Sequence, residues 1–374
     1  LAGPWRLRKF PIFRKTLPRS FQIVFFDKGL QQMTDIPKSM FAVIQTHGGY
    51  SPAATGPVID DASDWLAEAE LPVPTPGPGQ VLIRLRTASV NPSDIHFIKG
   101  EYGQPRVKGA PAGFEGCGDV VASGAGAEAL QDQRVAFVAA GSGAWAEYVV
   151  TQAQMCIPLR PDISDEDGAA QIVNPLTAMA MVDIARADGE AFVVSAATSQ
   201  LGKLMCSLGR DLGLSPIALV RRAETVQTLK DLGAAEVLVT SEPDVAEQFA
   251  TISATLKPRV FLDAVADQLS EQVFCAMPNG ARWVCYGKLS TDLPQLTQMG
   301  QLIFMSKRIA GFWLTRWMMS TPPADQMRVV TEVQARFADG RWKTDVSERL
   351  GLRGVVGNLA DALKKSDGKV IITP

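Results

Sequence analysis

From Ala191 to Phe312, short apolar runs alternate with segments of helical character, and this alternation constrains the fold more than any other feature of the chain. Ala191-Phe192-Val193-Val194 reads as a strand, and Gly202–Leu212 as the helix after it. The pattern repeats as strand Pro216–Val220, helix Ala223–Leu232, strand Glu236–Val239 and a helix near Val245–Phe249. It continues through strand Val260–Asp263, helix Ser270–Met277, strand Trp283–Tyr286 and a last strand Arg308–Phe312. Helices Ser164–Ala170 and Pro175–Arg186 precede the array. The strands are continuous apolar runs, as strands covered on both faces must be. Strands that alternate with helices predict a parallel, doubly wound sheet.

The texture before residue 163 is different. Met40–Gln45 reads as a first strand, and Leu71–Gly79 carries Pro72, Pro74, Pro76 and Pro78, which predicts a turn-rich connector. Short strands at Gly118–Ala122, Gln133–Ala139 and Ala144–Val150 predict a mostly β domain. Beyond Trp313 the pattern predicts a helix around Met327–Ala338 and a final strand Lys369–Ile372. A chain of 374 residues has room for two domains. Hydrophobic content of 46% and charged content of 20% are those of a globular protein, and no apolar run reaches the ~20 residues that span a membrane. A net charge of −2 gives no sign of a nucleic-acid partner. Cys117, Cys156, Cys206, Cys275 and Cys285 form no Cys-x-x-Cys pair, so reduced thiols are expected rather than a disulfide framework or a zinc site.

Before Met33 the chain is basic, with Arg6, Arg8, Lys9, Arg14, Lys15, Arg19 and Lys28 against the single acid Asp27. Pro4, Pro11 and Pro18 interrupt any long amphipathic helix there. Residues 1–32 are expected to come from upstream of a start at Met33. A targeting segment and a functional extension are the alternatives.

Ser195-Ala196-Ala197-Thr198-Ser199-Gln200-Leu201-Gly202 follows the first strand of the array and opens a helix. The first strand-to-helix turn of such a sheet is where a dinucleotide pyrophosphate docks on free N–H groups. The glycine fingerprint is reduced to A-x-S-x-x-G. Ala197 and Ser199 are still small enough for close backbone approach, and Gly202 allows tight packing. Gln200 and Leu201 open the helix and belong to the same candidate site. The second strand ends on Arg221-Arg222, where an NAD site wants a carboxylate for the ribose hydroxyls. A guanidinium matches a 2′-phosphate, so NADPH is the expected cofactor.

Asn91-Pro92-Ser93-Asp94-Ile95-His96-Phe97-Ile98-Lys99-Gly100-Glu101-Tyr102 closely resembles the N-P-S-D-I-x-x-I-x-G-x-Y segment of enoyl thioester reductases, in the medium-chain dehydrogenase/reductase superfamily. The resemblance extends over nearly the whole chain after Met33. Trp145 stands at a family tryptophan, Asn174-Pro175-Leu176-Thr177-Ala178 matches the N-P-[LC]-T-A helix start, and Gly311–Trp317 matches G-F-W-L-x-x-W. It implies a mostly β, GroES-like catalytic domain over 33–163 and 314–374, and a Rossmann cofactor domain over 164–313. It makes Tyr102 the proton donor, Asn91 a holder of nicotinamide or substrate oxygen, and Trp313 a border of the acyl channel. Asn174 and Thr177 fall beside the cofactor. His96 is expected at the surface, with a place in the pocket lining as the alternative.

The superfamily's alcohol dehydrogenases bind catalytic zinc through a Cys and a His. Asn91 stands at the Cys position and Phe114 replaces the His, and the structural zinc lobe is absent from the sequence. His47 and His96 are the only histidines, so no metal is expected. Three departures concern the substrate. The family's T-A-Y becomes Thr177-Ala178-Met179, G-N-E-G becomes Gly113-Phe114-Glu115-Gly116, and S-G-V-G becomes Ser199-Gln200-Leu201-Gly202. The leading reading is an NADPH-dependent, zinc-free reductase of 2-enoyl thioesters. A quinone or alkenal reductase is the second, and a non-enzymatic NADPH-binding protein the third. The resemblance also implies a homodimer paired along the edge strand Lys307–Phe312. The compartment is expected to be cytoplasmic, or mitochondrial if residues 1–32 are a transit peptide.

Overall fold

The computed structural model describes residues 36–53, 55–139, 143–365 and 368–374, and the basic leader 1–32 lies outside them. Strands β1 (Ser39–Gln45) and β2 (Leu66–Pro72) pair antiparallel as a two-stranded sheet. The connector predicted to begin at Leu71 therefore gives up two residues to a strand. Pro72 is tolerated because it ends that strand, where no central ladder needs its missing N–H. Then come β3 (Gln80–Ser89), the helix α1 (Pro92–Ile98), β4 (Glu115–Ser123), β5 (Arg134–Val138), β6 (Tyr148–Gln152) and β7 (Cys156–Pro158). The strand predicted over Ala144–Val150 begins only at Tyr148. Trp145 sinks fully into the core under Gly113, where a Cβ would sit 2.2 Å from the indole. That inward turn takes Ala144–Ala146 out of the regular ladder.

Helices α2 (Asp165–Ala169) and α3 (Val173–Asp188) lead into the predicted alternation. It runs β8 (Ala191–Val194), α4 (Gln200–Asp211), β9 (Ser215–Val220), α5 (Val226–Asp231), β10 (Glu236–Val239), α6 (Val245–Leu256), β11 (Val260–Asp263), α7 (Gln268–Ala276), β12 (Arg282–Cys285), α8 (Gly300–Phe304) and β13 (Arg308–Gly311). The six strands form one parallel sheet, ordered β10-β9-β8-β11-β12-β13. The order reverses beside β8, so the crevice at its carboxyl end is the topological switch point where this architecture binds ligands. One apolar cluster, with Met205, Leu204 and Met181, covers one face of this sheet, and another, with Phe249, Phe261 and Trp283, covers the other.

The tail adds α9 (Leu314–Ser320), α10 (Pro323–Ala338), β14 (Val346–Gly351), α11 (Val355–Leu363) and β15 (Lys369–Thr373). It returns to the first half of the chain, because β14 and β15 join the sheet ordered β14-β15-β3-β4-β5-β7, with β6 on β3. Ile372, Val355 and Leu359 thereby enter the same core as Val81, Ile83 and Trp145.

Candidate active site

The site lies where the tail, the β-rich sheet and the start of α3 meet. Asn91 is the N-cap residue of α1, and its backbone N–H donates to Asp94 Oδ2 at 2.7 Å. Pro92 at the first helical position suits a helix start, where its missing N–H costs nothing. The other oxygen of Asp94 accepts the Phe114 N–H at 2.8 Å, which pins the loop before β4 against α1. Asp94 is buried, and burial pushes its carboxyl up to about 7. The two backbone donors oppose that rise, as does the Lys369 ammonium, while Glu115 adds to it.

Glu115 occupies the middle of the seam and is buried. Its Oε1 accepts from Ser89 Oγ at 2.8 Å and Asn91 Nδ2 at 2.9 Å. Its Oε2 accepts the N–H groups of Val173 at 2.8 Å and Ile172 at 3.3 Å. These N–H groups belong to the start of α3, where no intrahelical acceptor is available and negative charge is favoured. Lys369, on β15, donates to Asn91 Oδ1 at 2.5 Å, and burial lowers its pKa. The Asn91 side chain is thus held at both ends within the protein. Asn174 and Thr177 follow on α3, with the Thr177 hydroxyl donating to the Val173 carbonyl at 2.6 Å.

Tyr102 stands in a box of aromatic rings. Its ring centroid is 5.2 Å from Phe114, 6.0 Å from Trp313 and 6.4 Å from Phe97, the last two edge-on. Trp313 Nε1 donates to Tyr102 Oη at 2.8 Å. An indole N–H can only donate, so the tyrosine oxygen is the acceptor and its own O–H remains free to donate elsewhere. Burial raises the Tyr102 pKa, and the tryptophan bond offsets part of that rise, so the phenol is protonated at neutral pH. Gly103 lets the Trp313 ring lie flush, 3.4 Å from where a Cβ would be.

His96 is not at the surface. Its side chain is 15% exposed, with Nδ1 3.4 Å from Glu101 Oε2. It also meets the Lys288 backbone, and burial keeps its pKa below the ordinary histidine value. The short helix α1 turns it inward, which the residue type alone does not reveal. Among the described residues, no group of three or more His, Cys, Asp or Glu side chains is placed to hold a metal.

On the parallel sheet, the turn after β8 is fixed by Asp263 at the end of β11. Its Oδ1 accepts from Ser195 Oγ at 2.5 Å, and its Oδ2 from Trp283 Nε1 at 2.8 Å. Ser199 is the N-cap of α4 and accepts the Gly202 N–H at 3.1 Å. A Cβ on Gly202 would lie 2.6 Å from the Ala197 backbone, so glycine is required there. The Ala197 N–H goes to the Leu219 carbonyl, so this residue packs the turn. Gln200 and Leu201 present the N–H groups that a helix start leaves without an internal partner. Arg221, exposed, and Arg222, partly exposed, follow directly on β9. A cradle that only glycine fits, open N–H groups and two cations past the next strand suit a phosphorylated dinucleotide.

The family model of the alcohol dehydrogenase GroES-like domain matches residues 77–161, and that of the zinc-binding dehydrogenases matches 201–329. The mitochondrial enoyl-[acyl-carrier-protein] reductase of Bos taurus is 31% identical over 255 residues, covering 66% of this chain and 68% of that protein. The chain belongs to the medium-chain dehydrogenase/reductase superfamily. Within the superfamily, the structure of a putative NADPH:quinone reductase from Mesorhizobium loti is 45% identical, with a TM-score of 0.88, covering 91% of this chain and all (100%) of that one. A mutant enoyl thioester reductase from Candida tropicalis shares the fold at 21% identity and a TM-score of 0.73, over 90% of this chain and 100% of that one. Membership explains the pairing of a β-rich sheet with a six-stranded parallel sheet, and the likeness to enoyl and quinone reductases places this chain in the superfamily's zinc-free branch. Glu115, Lys369 and Asp263 are parts of the site that sequence patterns miss. Lys369 and Asp263 each stand as a single charge beside an apolar run, which is the one local sign of a buried polar role, while Glu115 lies between Phe114 and Gly116 and gives no such sign.

Proposed function

We propose that the chain is an NADPH-dependent reductase that adds hydride to the β carbon of α,β-unsaturated carbonyl compounds, with 2-enoyl thioesters as the substrate class. The observation that carries the reading is the Trp313–Tyr102 bond, which leaves a protonated phenol with a free O–H inside an aromatic box. Arg221 and Arg222 would hold the 2′-phosphate, and the open N–H groups of Gln200 and Leu201 the pyrophosphate. When bound, the nicotinamide supplies the hydride. Tyr102 then gives its proton to the α carbon, and the indole N–H of Trp313 stabilises the phenolate left behind. Phe114, Phe97 and Trp313 keep water from the reacting face. Asn91, held by Glu115 and Lys369, orients the start of α1 and so the segment that carries Tyr102.

A quinone or alkenal substrate is the second reading. It is favoured by the 45% identity to the putative quinone reductase and by Met179 in place of a tyrosine. NADPH oxidation with crotonyl-CoA, 1,4-benzoquinone and an alkenal, run side by side, decides between them. Fastest turnover of the thioester supports the first reading, and turnover of quinone alone overturns it.

The second copy in this reading pairs along β13, an exposed edge strand with Ile309 42% exposed and, on α8, Phe304 84% exposed. A monomer mass in sedimentation at micromolar concentration would remove that part. No helix among the described residues is long and apolar enough to cross a membrane.

A further inference from the structure

Gln200 stands where the resembling motif has glycine, at the first position of α4. Its side chain does not turn toward the pyrophosphate crevice. Nε2 donates to the Lys343 carbonyl at 2.6 Å, and Oε1 accepts the Asp345 N–H at 3.2 Å. One turn further along α4, Lys203 Nζ meets Asp345 Oδ2 at 2.7 Å, so two residues of the helix grip the segment that enters β14. That segment is also held from α2, because the Thr344 N–H donates to Asp167 Oδ1 at 2.7 Å.

The same Asp345 reaches the catalytic half of the molecule. Its carbonyl accepts the Lys369 N–H at 2.7 Å. A Cβ on Gly368 would lie 2.5 Å from that carbonyl, so the approach needs glycine beside it. Lys369 is buried, and its ammonium has one close acceptor, Asn91 Oδ1. Ser89 Oγ and the Val90 carbonyl stand further off, each at 3.5 Å, and Glu115 Oε1 at 3.9 Å. A buried ammonium cannot drift from its acceptor without a large desolvation cost. The position of the Lys369 backbone therefore sets where the Asn91 amide sits.

We propose that Gln200 is a positioning residue: it ties the first turn of the dinucleotide helix to Asp345 and, through Lys369, holds the Asn91 amide and the start of α1 in place. The inference rests on the function proposed above. Glycine at this position has no side chain to make the tie, so the coupling belongs to this chain. It links the cofactor turn to the Asn91 amide through four consecutive hydrogen-bonded groups, and a chain of that kind is tested by coupling, not by proximity.

The test uses the full chain with Gln200→Ala, Lys369→Met and both together. Hydrogen exchange without nucleotide is the first readout, and the Asp345 and Lys369 amides should exchange faster in Gln200→Ala. Calorimetric NADPH affinity should stay within about threefold, while kcat falls roughly tenfold, the effect of losing one or two hydrogen bonds that act only on position. The double variant should turn over no slower than Lys369→Met alone. Effects that multiply, unchanged exchange, or weaker NADPH binding with kcat intact would each overturn the proposal. Should Lys369→Met fail to fold, the exchange result and the split between affinity and kcat in Gln200→Ala decide alone. Wild-type protein that oxidises NADPH with none of the three substrates defeats the proposed function. The exchange result still reads the tie.

Discussion

Tyr102→Phe keeps the ring and removes one hydroxyl, so it separates chemistry from packing. Two losses follow from the structure. The Trp313 N–H loses its acceptor at 2.8 Å. Because Trp313 is only half-buried, water can partly replace it, and the cost falls near the low end, about 1 kcal/mol. For a chain of 374 residues that corresponds to a melting shift of only about 1–2 °C. The other loss is the proton donor itself, which predicts a fall in turnover of roughly 10²–10⁴. NADPH affinity should not move, because in the proposed reading the hydroxyl serves the substrate and not the cofactor. A companion, Trp313→Phe, keeps the acid but removes the donor that lowers its pKa. It should cost roughly ten- to a hundredfold in turnover, the worth of a hydrogen bond to a charged oxygen. The assay is NADPH absorbance with crotonyl-CoA, alongside calorimetric NADPH binding and thermal melting. Turnover of Tyr102→Phe within about threefold of wild type, with a lower melting point, would show Tyr102 to be a packing residue and refute the acid assignment.

Replacing Arg221 and Arg222 by Ala should cut the preference for NADPH over NADH by roughly ten- to a hundredfold, and an unchanged preference removes them from the 2′-phosphate site. Asp94 predicts a pH dependence of stability. Its folded pKa is raised from 3.8 to about 7, so its contribution is complete below 3.8 and is lost as pH rises through 7. Asp94→Asn should flatten that part of the melting-temperature profile and lower stability overall, since one of two backbone donors loses its acceptor; a profile unchanged in slope contradicts the assignment.

The parallel sheet was legible because its strands are unbroken apolar runs. Ala191–Val194, Glu236–Val239 and Val260–Asp263 coincide with β8, β10 and β11 residue for residue. The turn chemistry around Gly202 was legible for the same reason, since a strand and a helix flank it. The tail was harder. Val346–Gly351 has Ser347, Glu348 and Arg349 in its middle and becomes a strand only because β15 lies beside it. The seven residues of α1 are too few to display a helical period, so the Asn91–Tyr102 segment reads as a motif without a shape. Tyr102 and Trp313 are named by their motifs, but the bond between them joins residues 211 positions apart. No local pattern encodes such a pairing, nor the meeting of Asn91, Glu115 and Lys369.

Glu115 has one oxygen turned to the β-rich sheet and the other to the start of α3. A single rigid carboxylate that serves both halves behaves as a pivot. An opening of the crevice that preserves its four bonds would rotate about Glu115 and would have to release Gln200 and Lys203 from Asp345, because sliding one half past the other would strip a buried carboxylate of its donors. The travel for a given angle then grows with distance from that carboxylate. The residues it binds, Asn91 and Val173, would stay almost still, while parts of the crevice far from it would swing further. Nucleotide entry and exit would then take place at the adenosine end, with the chemistry held at the fixed point of the motion.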